Sequence, residues 1–268
     1  MKTIKDLKPQ NVWNNFYLLT RQPRPSKHEE KVRAFLLEWA KEKGVDAFAD
    51  ETGNVIMRAP ATKGYENRRG VILQAHMDMV PQKTAETVHD FLTDPIETEV
   101  VGEWLGAKGT TLGADDGIGV ALAMSILEDK TLEHGPVEVL ITYDEETGMT
   151  GAERLRPGIF KGDILLNLDS EDEGELCIGC AGGLDGIADF KYRTYKSPAG
   201  YEPFHIEVKG LQGGHSGMDI SLYRANACKI VARVLLPLLQ KYGAKVAGIR
   251  CGSLRNAIPF EGSADVLI

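Results

Sequence analysis

Three short apolar runs in this chain stop at charged residues, and that limits what it can fold into. Residues 71–75 run into His76-Met77-Asp78, residues 137–143 into Asp144-Glu145-Glu146, and residues 164–168 into Asp169. Continuous runs of this length and composition predict strands buried on both faces, as inside parallel sheets covered by helices. A fourth signature, Gly113-Ala114-Asp115-Asp116-Gly117, precedes an apolar stretch at 118–127 that reads as a buried helix. Acids at the ends of buried strands need something to compensate their charge. In open α/β sheets, the carboxyl ends of the strands are also where sites are built.

The rest of the chain supports this frame. Helices are predicted over 9–20, with Pro9 near the first turn, and from the capping-box pattern Ser26-Lys27-His28-Glu29 to a stop at Gly44. Val32, Phe35, Leu36 and Trp39 fall at helical spacing between them. Strands are predicted at 45–48 and 55–57, and small hairpin strands such as 96–101 in an excursion over 81–110. Strands interleaved with helices define an α/β class, with a mixed, largely parallel sheet flanked by helices, over residues 1–186. From 187 onward the pattern changes. Segments 188–195 and 204–209 alternate like half-exposed strands, a helix covers 222–242, and strands follow at 246–250 and 264–268. Residues 187–268 thus read as part of a second, α+β domain.

Composition excludes several classes. At 268 residues the chain suits one large domain plus part of another. A net charge of −8 without a basic stripe argues against a nucleic-acid partner. The N-terminus shows no secretory pattern, and no apolar run approaches the ~18 residues of a membrane span. A cytoplasmic location is therefore expected. Cys177-Ile178-Gly179-Cys180 has no second pair, as a structural zinc site would need, and it lies in a strand-like stretch rather than at a helix start. Four reduced, mostly buried thiols are expected.

The acids and the imidazole have ordinary readings one at a time. His76 and Asp78, two apart in an extended segment, point the same way. The carboxylate then serves either as the acceptor that orients a ligating imidazole or as a plain loop neighbour. Asp115 and Asp116 serve either as cation-bridging carboxylates or as caps of the following helix. Glu145 and Glu146 are either an acidic turn or a ligand beside a proton acceptor. Taken together they set oxygen ligands and one imidazole at one sheet edge, a donor set that suits zinc, cobalt or manganese better than calcium.

At these residues the chain resembles the di-zinc dipeptidases of the aminoacylase and carboxypeptidase clan. The stretches LQAHMDMVPQK, TLGADDGIGVA, TYDEETGMTGA, LLNLDSEDEGEL and LQGGHSGMDI follow the family's order over residues 73–220. The resemblance implies a catalytic domain carrying an inserted lid, two divalent metal ions (zinc first, cobalt or manganese otherwise), and a homodimer formed through the lid. It implies hydrolysis of dipeptides, including those ending in histidine such as β-alanyl-histidine. His76 and Asp169 would bind one metal, Glu146 the other, and Asp115 would bridge them, with the peptide bond after the bridging Asp often cis. Asp78 would orient His76. Glu145 would be the base that deprotonates the metal-bridging water and returns the proton to the leaving amine. His215 and Asn256 would contact substrate.

The family is longer, and its second metal takes a further histidine near the C-terminus. The histidines here are His28, His76, His89, His134, His205 and His215, so the chain reads as stopping inside the lid. Three alternatives stay open. One is an amidohydrolase acting on N-acyl amino acids. Another is an incomplete fragment serving only as a binding module. The third is a thiol redox protein built on Cys177 and Cys180.

Overall fold

A computed structural model describes residues 3–268 except 85, 171, 172, 181, 183, 185, 198, 253, 254 and 256. The chain divides into two units, Met1–Ala181 and Gly182–Ile268. In the first, a short 3-10 turn is followed by α1 (Gln10–Thr20), α2 (Glu30–Lys43), β1 (Asp46–Ala49), β2 (Val55–Ala59) and β3 (Val71–His76). Next come the hairpin β4 (Thr98–Val101) and β5 (Trp104–Ala107), then α3 (Ala114–Glu128) and β6 (Val137–Thr142). The unit ends with the short helices α4 (Glu145–Gly148) and α5 (Thr150–Glu153) and the strand β7 (Ile164–Asn167).

The five-stranded sheet runs β1-β2-β6-β3-β7. It is mixed, as expected: β3 lies parallel to both β6 and β7, while β1–β2 and β2–β6 are antiparallel. The parallel strands are those that lead into the acidic signatures. Apolar residues leave β6 in both directions. Val139 and Ile141 join Phe16, Leu36 and Met124 in the main core under the helices. Leu140 packs on the other face with Ile56, Ile72 and the partly buried Leu155, Ile159 and Phe160. Each fully buried Leu or Ile contributes roughly 1.5–3 kcal/mol, so this strand anchors the unit. Glu138, an acid within the run, accepts the N–H groups of Lys161 and Gly162, both at 2.8 Å.

Two expectations for this unit fail. The capping box at Ser26 does not form: α2 begins after Glu29, and Ser26 Oγ lies 3.5 Å from the Met79 carbonyl. Pro25 instead bridges Met79, which lays this segment beside the end of β3. The run at 164–168 is not buried on both faces. β7 pairs only with β3, and Leu165 and Leu166 are 56% and 46% exposed.

The second unit contains β8 (Pro203–Val208), β9 (Gly214–His215), α6 (Ala227–Lys241), β10 (Lys245–Cys251), β11 (Ala257–Ile258) and β12 (Gly262–Leu267). It is α+β: an antiparallel β10-β12-β8 sheet with α6 packed on one face through Val231, Leu235, Ala264 and Val266. The helix starts at Ala227, not 222, because Asn226 caps it by accepting the Lys229 N–H at 3.1 Å. Residues 220–222 form a 3-10 turn instead. Residues 188–195 form no strand, and Phe190 and Tyr192 stay more than 80% exposed. Alternation creates a strand only where a partner completes the ladder. Cys177 and Cys180 are exposed in irregular chain, contrary to the buried thiols expected. Cys228 and Cys251 are half-buried, and all four are free. No described helix is long and apolar enough to cross a membrane.

Candidate metal centre

The site forms at the carboxyl ends of β3, β6 and β7. His76, the last residue of β3, is fully buried. Its Nδ1 lies 3.1 Å from the Asp78 carbonyl and 3.2 Å from Asp78 Oδ1. Both are acceptors, so Nδ1 carries the hydrogen, and in the neutral ring Nε2 is left with its lone pair. Nε2 faces Asp115 Oδ1 at 3.0 Å, Asp169 Oδ2 at 3.8 Å and Glu145 Oε2 at 4.0 Å. Ligand atoms of His76, Asp115 and Glu146 lie within 4.8 Å of one another, and so do those of His76, Glu145 and Asp169. The structure thus brings His76, Asp78, Asp115, Glu145, Glu146 and Asp169 together. The Asp115–Asp116 peptide bond is cis.

Electrostatics show what the cluster lacks. Burial works against a charged His76, but the hydrogen bonds to Asp115 and Asp78 and the charges of Asp78 and Asp169 override it and hold the imidazole at about 11. His76 in turn keeps Asp115 low. Burial pushes Asp169 up to about 6, helped by the charge of Asp115. Burial, again with Asp115, carries Glu146 to about 7. Glu145 is raised, first by burial and then by its acidic neighbours. Four carboxylates converge on one imidazole, a donor set short of positive charge that fits a pair of divalent cations.

Sequence reasoning missed the shell that holds these groups. Arg24 is buried; its Nη1 donates to the Met77 and Asp78 carbonyls at 3.0 and 3.1 Å, and its Nη2 to the Gly113 carbonyl. It ties the end of β3 to the turn that presents Asp115. Burial lowers Arg24 to about 10, opposed by Asp78, Asp116, Asp115 and Glu146, so it remains a fixed cation. Gly113 is the turn residue at φ +69, where a Cβ would sit 2.6 Å from Arg24 Nη2. Asp116 accepts the backbone N–H of His76 and of Gly119, each at 3.1 Å. Burial and the charge of Asp169 push Asp116 to about 7. Glu29 and Asp144 are buried beside Asp78. Gly113, Asp116 and Asp144 stood within the acidic signatures and Glu29 within a capping pattern, whereas Arg24 had no local signal.

His215 lies in the second unit, exposed on β9. Its Nδ1 accepts the N–H groups of Gly217 and Met218, both at 3.1 Å, which leaves Nε2 as the donor. Asn256 lies outside the described residues.

A parallel-strand edge on an α/β scaffold thus gathers one oriented imidazole and four carboxylates into a candidate metal-binding cluster. The comparisons give the family: residues 72–232 match the model of peptidase family M20/M25/M40, and the chain belongs to it. It is 46% identical over all 268 residues to the cytosol non-specific dipeptidase of Escherichia coli, covering 55% of that protein. It is 48% identical to a solved aminoacylhistidine dipeptidase from Vibrio alginolyticus (TM-score 0.68), covering all of this chain and 55% of that one. A structure of aminopeptidase PepT from Bacillus cereus, at 21% identity and TM-score 0.54, covers 96% of this chain and 65% of its own and shares the fold. The chain spans about half the length of the curated relatives it matches.

Proposed function

We propose that this chain carries the metal centre of a dipeptidase that hydrolyses dipeptides, including those ending in histidine. The observation that carries the reading is His76 Nε2 facing Asp115 at 3.0 Å within the carboxylate cluster of Glu145, Glu146 and Asp169. The family and the names of the two relatives at 46% and 48% identity support it. His76, Asp115, Glu146 and Asp169 would hold two divalent cations, zinc foremost with cobalt or manganese as substitutes, and Asp115 would be shared. When bound, the cations would polarise the scissile carbonyl and ease deprotonation of the attacking water.

The side chains do the rest. Asp78 positions His76 through Nδ1. Glu145 Oε2, raised by burial, takes the proton of the attacking water and returns it to the leaving amine as the C–N bond breaks. The second unit is proposed as part of a lid and dimer contact. There His215, a donor at Nε2, and Asn256 would meet the substrate. The test is a dipeptide panel on the metal-loaded protein with Glu145→Gln. Turnover should fall by about 10²–10⁴-fold, the scale of a positioned acid–base group, with metal content intact. Unchanged turnover overturns the assignment of Glu145.

A further inference from the structure

The turn that carries Glu145 and Glu146 is gripped from beneath by two buried carboxylates. Three successive backbone N–H groups are taken: that of Asp144 by Glu29 Oε1 at 3.1 Å, that of Glu145 by Asp78 Oδ1 at 3.0 Å, and that of Glu146 by Asp78 Oδ2 at 3.2 Å. Asp144 is the N-cap residue of α4, just past the end of β6. It sits in the left-handed region at φ +51, where a residue with a side chain needs outside support. Its own carboxylate accepts the hydroxyls of Thr147 and Thr150.

Glu29 reaches this turn from the start of α2, 115 residues away in sequence. Its Oε1 also accepts the Lys27 N–H at 2.9 Å. The side chain is fully buried, and Oε2 is left without a hydrogen-bond partner. A buried acid with an idle oxygen is costly, and α2 does not require it, since no side chain caps that helix. The oxygens of Asp78 and Asp144 are already engaged by N–H and hydroxyl donors, which reads this acidic trio as a scaffold and not as a further cation site.

We propose that Glu29 is a positioning residue for the Glu145–Glu146 pair, acting through the Asp144 amide alongside the Asp78 clamp. The part of this inference that concerns turnover rests on the proposed dipeptidase function; the part that concerns metal binding stands without it. Glu29→Ala removes the acceptor. Glu29→Asp shortens the side chain so that it no longer reaches Asp144. Glu29→Gln keeps an acceptor at Oε1.

The experiment titrates the three variants and the parent chain with Co²⁺, reading the visible ligand-field bands, and follows kcat and KM on a dipeptide and thermal melting in parallel. Glu29→Ala and Glu29→Asp should bind cobalt about 10-fold or more weakly, with altered bands. Their kcat should drop about 10–100-fold while KM holds. Glu29→Gln should restore both readouts. Parent-like cobalt affinity and bands in Glu29→Asp, whatever its melting temperature, would reduce Glu29 to an anchor of α2 and overturn the proposal. So would a Glu29→Gln variant as impaired as Glu29→Ala, or an additional cobalt ion lost with Glu29. A parent chain that binds cobalt but cleaves no dipeptide would refute the proposed function and still leave cobalt to decide the role of Glu29.

Discussion

Arg24 shows how much of the site depends on a residue that performs no chemistry. Its guanidinium serves three carbonyls on two separate segments and sits, fully charged, beneath the carboxylates. Arg24→Met should leave those carbonyls and the buried acids uncompensated. A loss of about 3–5 kcal/mol is expected in urea denaturation of the metal-free chain, as for other broken buried ionic contacts. A loss below ~1 kcal/mol, the scale of an exposed pair, would contradict the buried geometry. Glu29 adds a pH signature. Burial, partly offset by the Lys27 N–H and reinforced by the Asp78 charge, pushes it from 4.5 to about 7. The folded chain therefore keeps a proton that the unfolded chain has released. The group's contribution to stability is complete below the unfolded value and disappears as pH rises through about 7. The advantage of Glu29→Gln over the parent in unfolding free energy should grow by up to about 3 kcal/mol between pH 5 and pH 8. A difference that does not vary with pH would show that the acid is not raised.

Turns, more than strands, aim this site. β3 and β6 deliver the chain to the sheet edge, but Gly113 and Asp144, both at positive φ, direct the acids inward. Gly113→Ala would place a Cβ 2.6 Å from Arg24 Nη2 and 2.8 Å from Met79 Sδ. Gly158, also at positive φ, has open space around it and serves as the control. Alanine at 158 should cost about 1 kcal/mol for the backbone alone, whereas at 113 a further ~1–3 kcal/mol for overpacking is expected by chemical denaturation. Equal costs would mean that the turn can relax away from Arg24. The same elements show what is legible in a sequence. β3 and β6 were readable because both of their faces are buried, which writes a continuous apolar run. The run in β7 looks the same, yet its free edge leaves Leu165 and Leu166 exposed. Ser26 carried a capping pattern but was drawn to Met79 by tertiary packing. Segment 188–195 alternates without acquiring a partner strand.

Across the molecule, the residues of the candidate cluster were legible and their support was not. His76, Asp115, Glu145, Glu146 and Asp169 stand at strand ends or in a Gly-flanked turn, places that sequence pattern marks. Arg24 and Glu29 meet their partners 53 to 115 residues away, and no local pattern records such contacts. The first unit is a self-consistent scaffold for this cluster, while the chain as a whole covers about half of its relatives' length. The proposed function requires the His76 cluster to hold divalent cations, with Asp115 common to both positions. Equilibrium dialysis against Zn²⁺ with metal analysis, on the parent and on Asp115→Asn, decides whether it does. Two zinc ions are expected in the parent and at most one in the variant. A parent that binds none, or an Asp115→Asn variant that keeps the parent's zinc content, would contradict it.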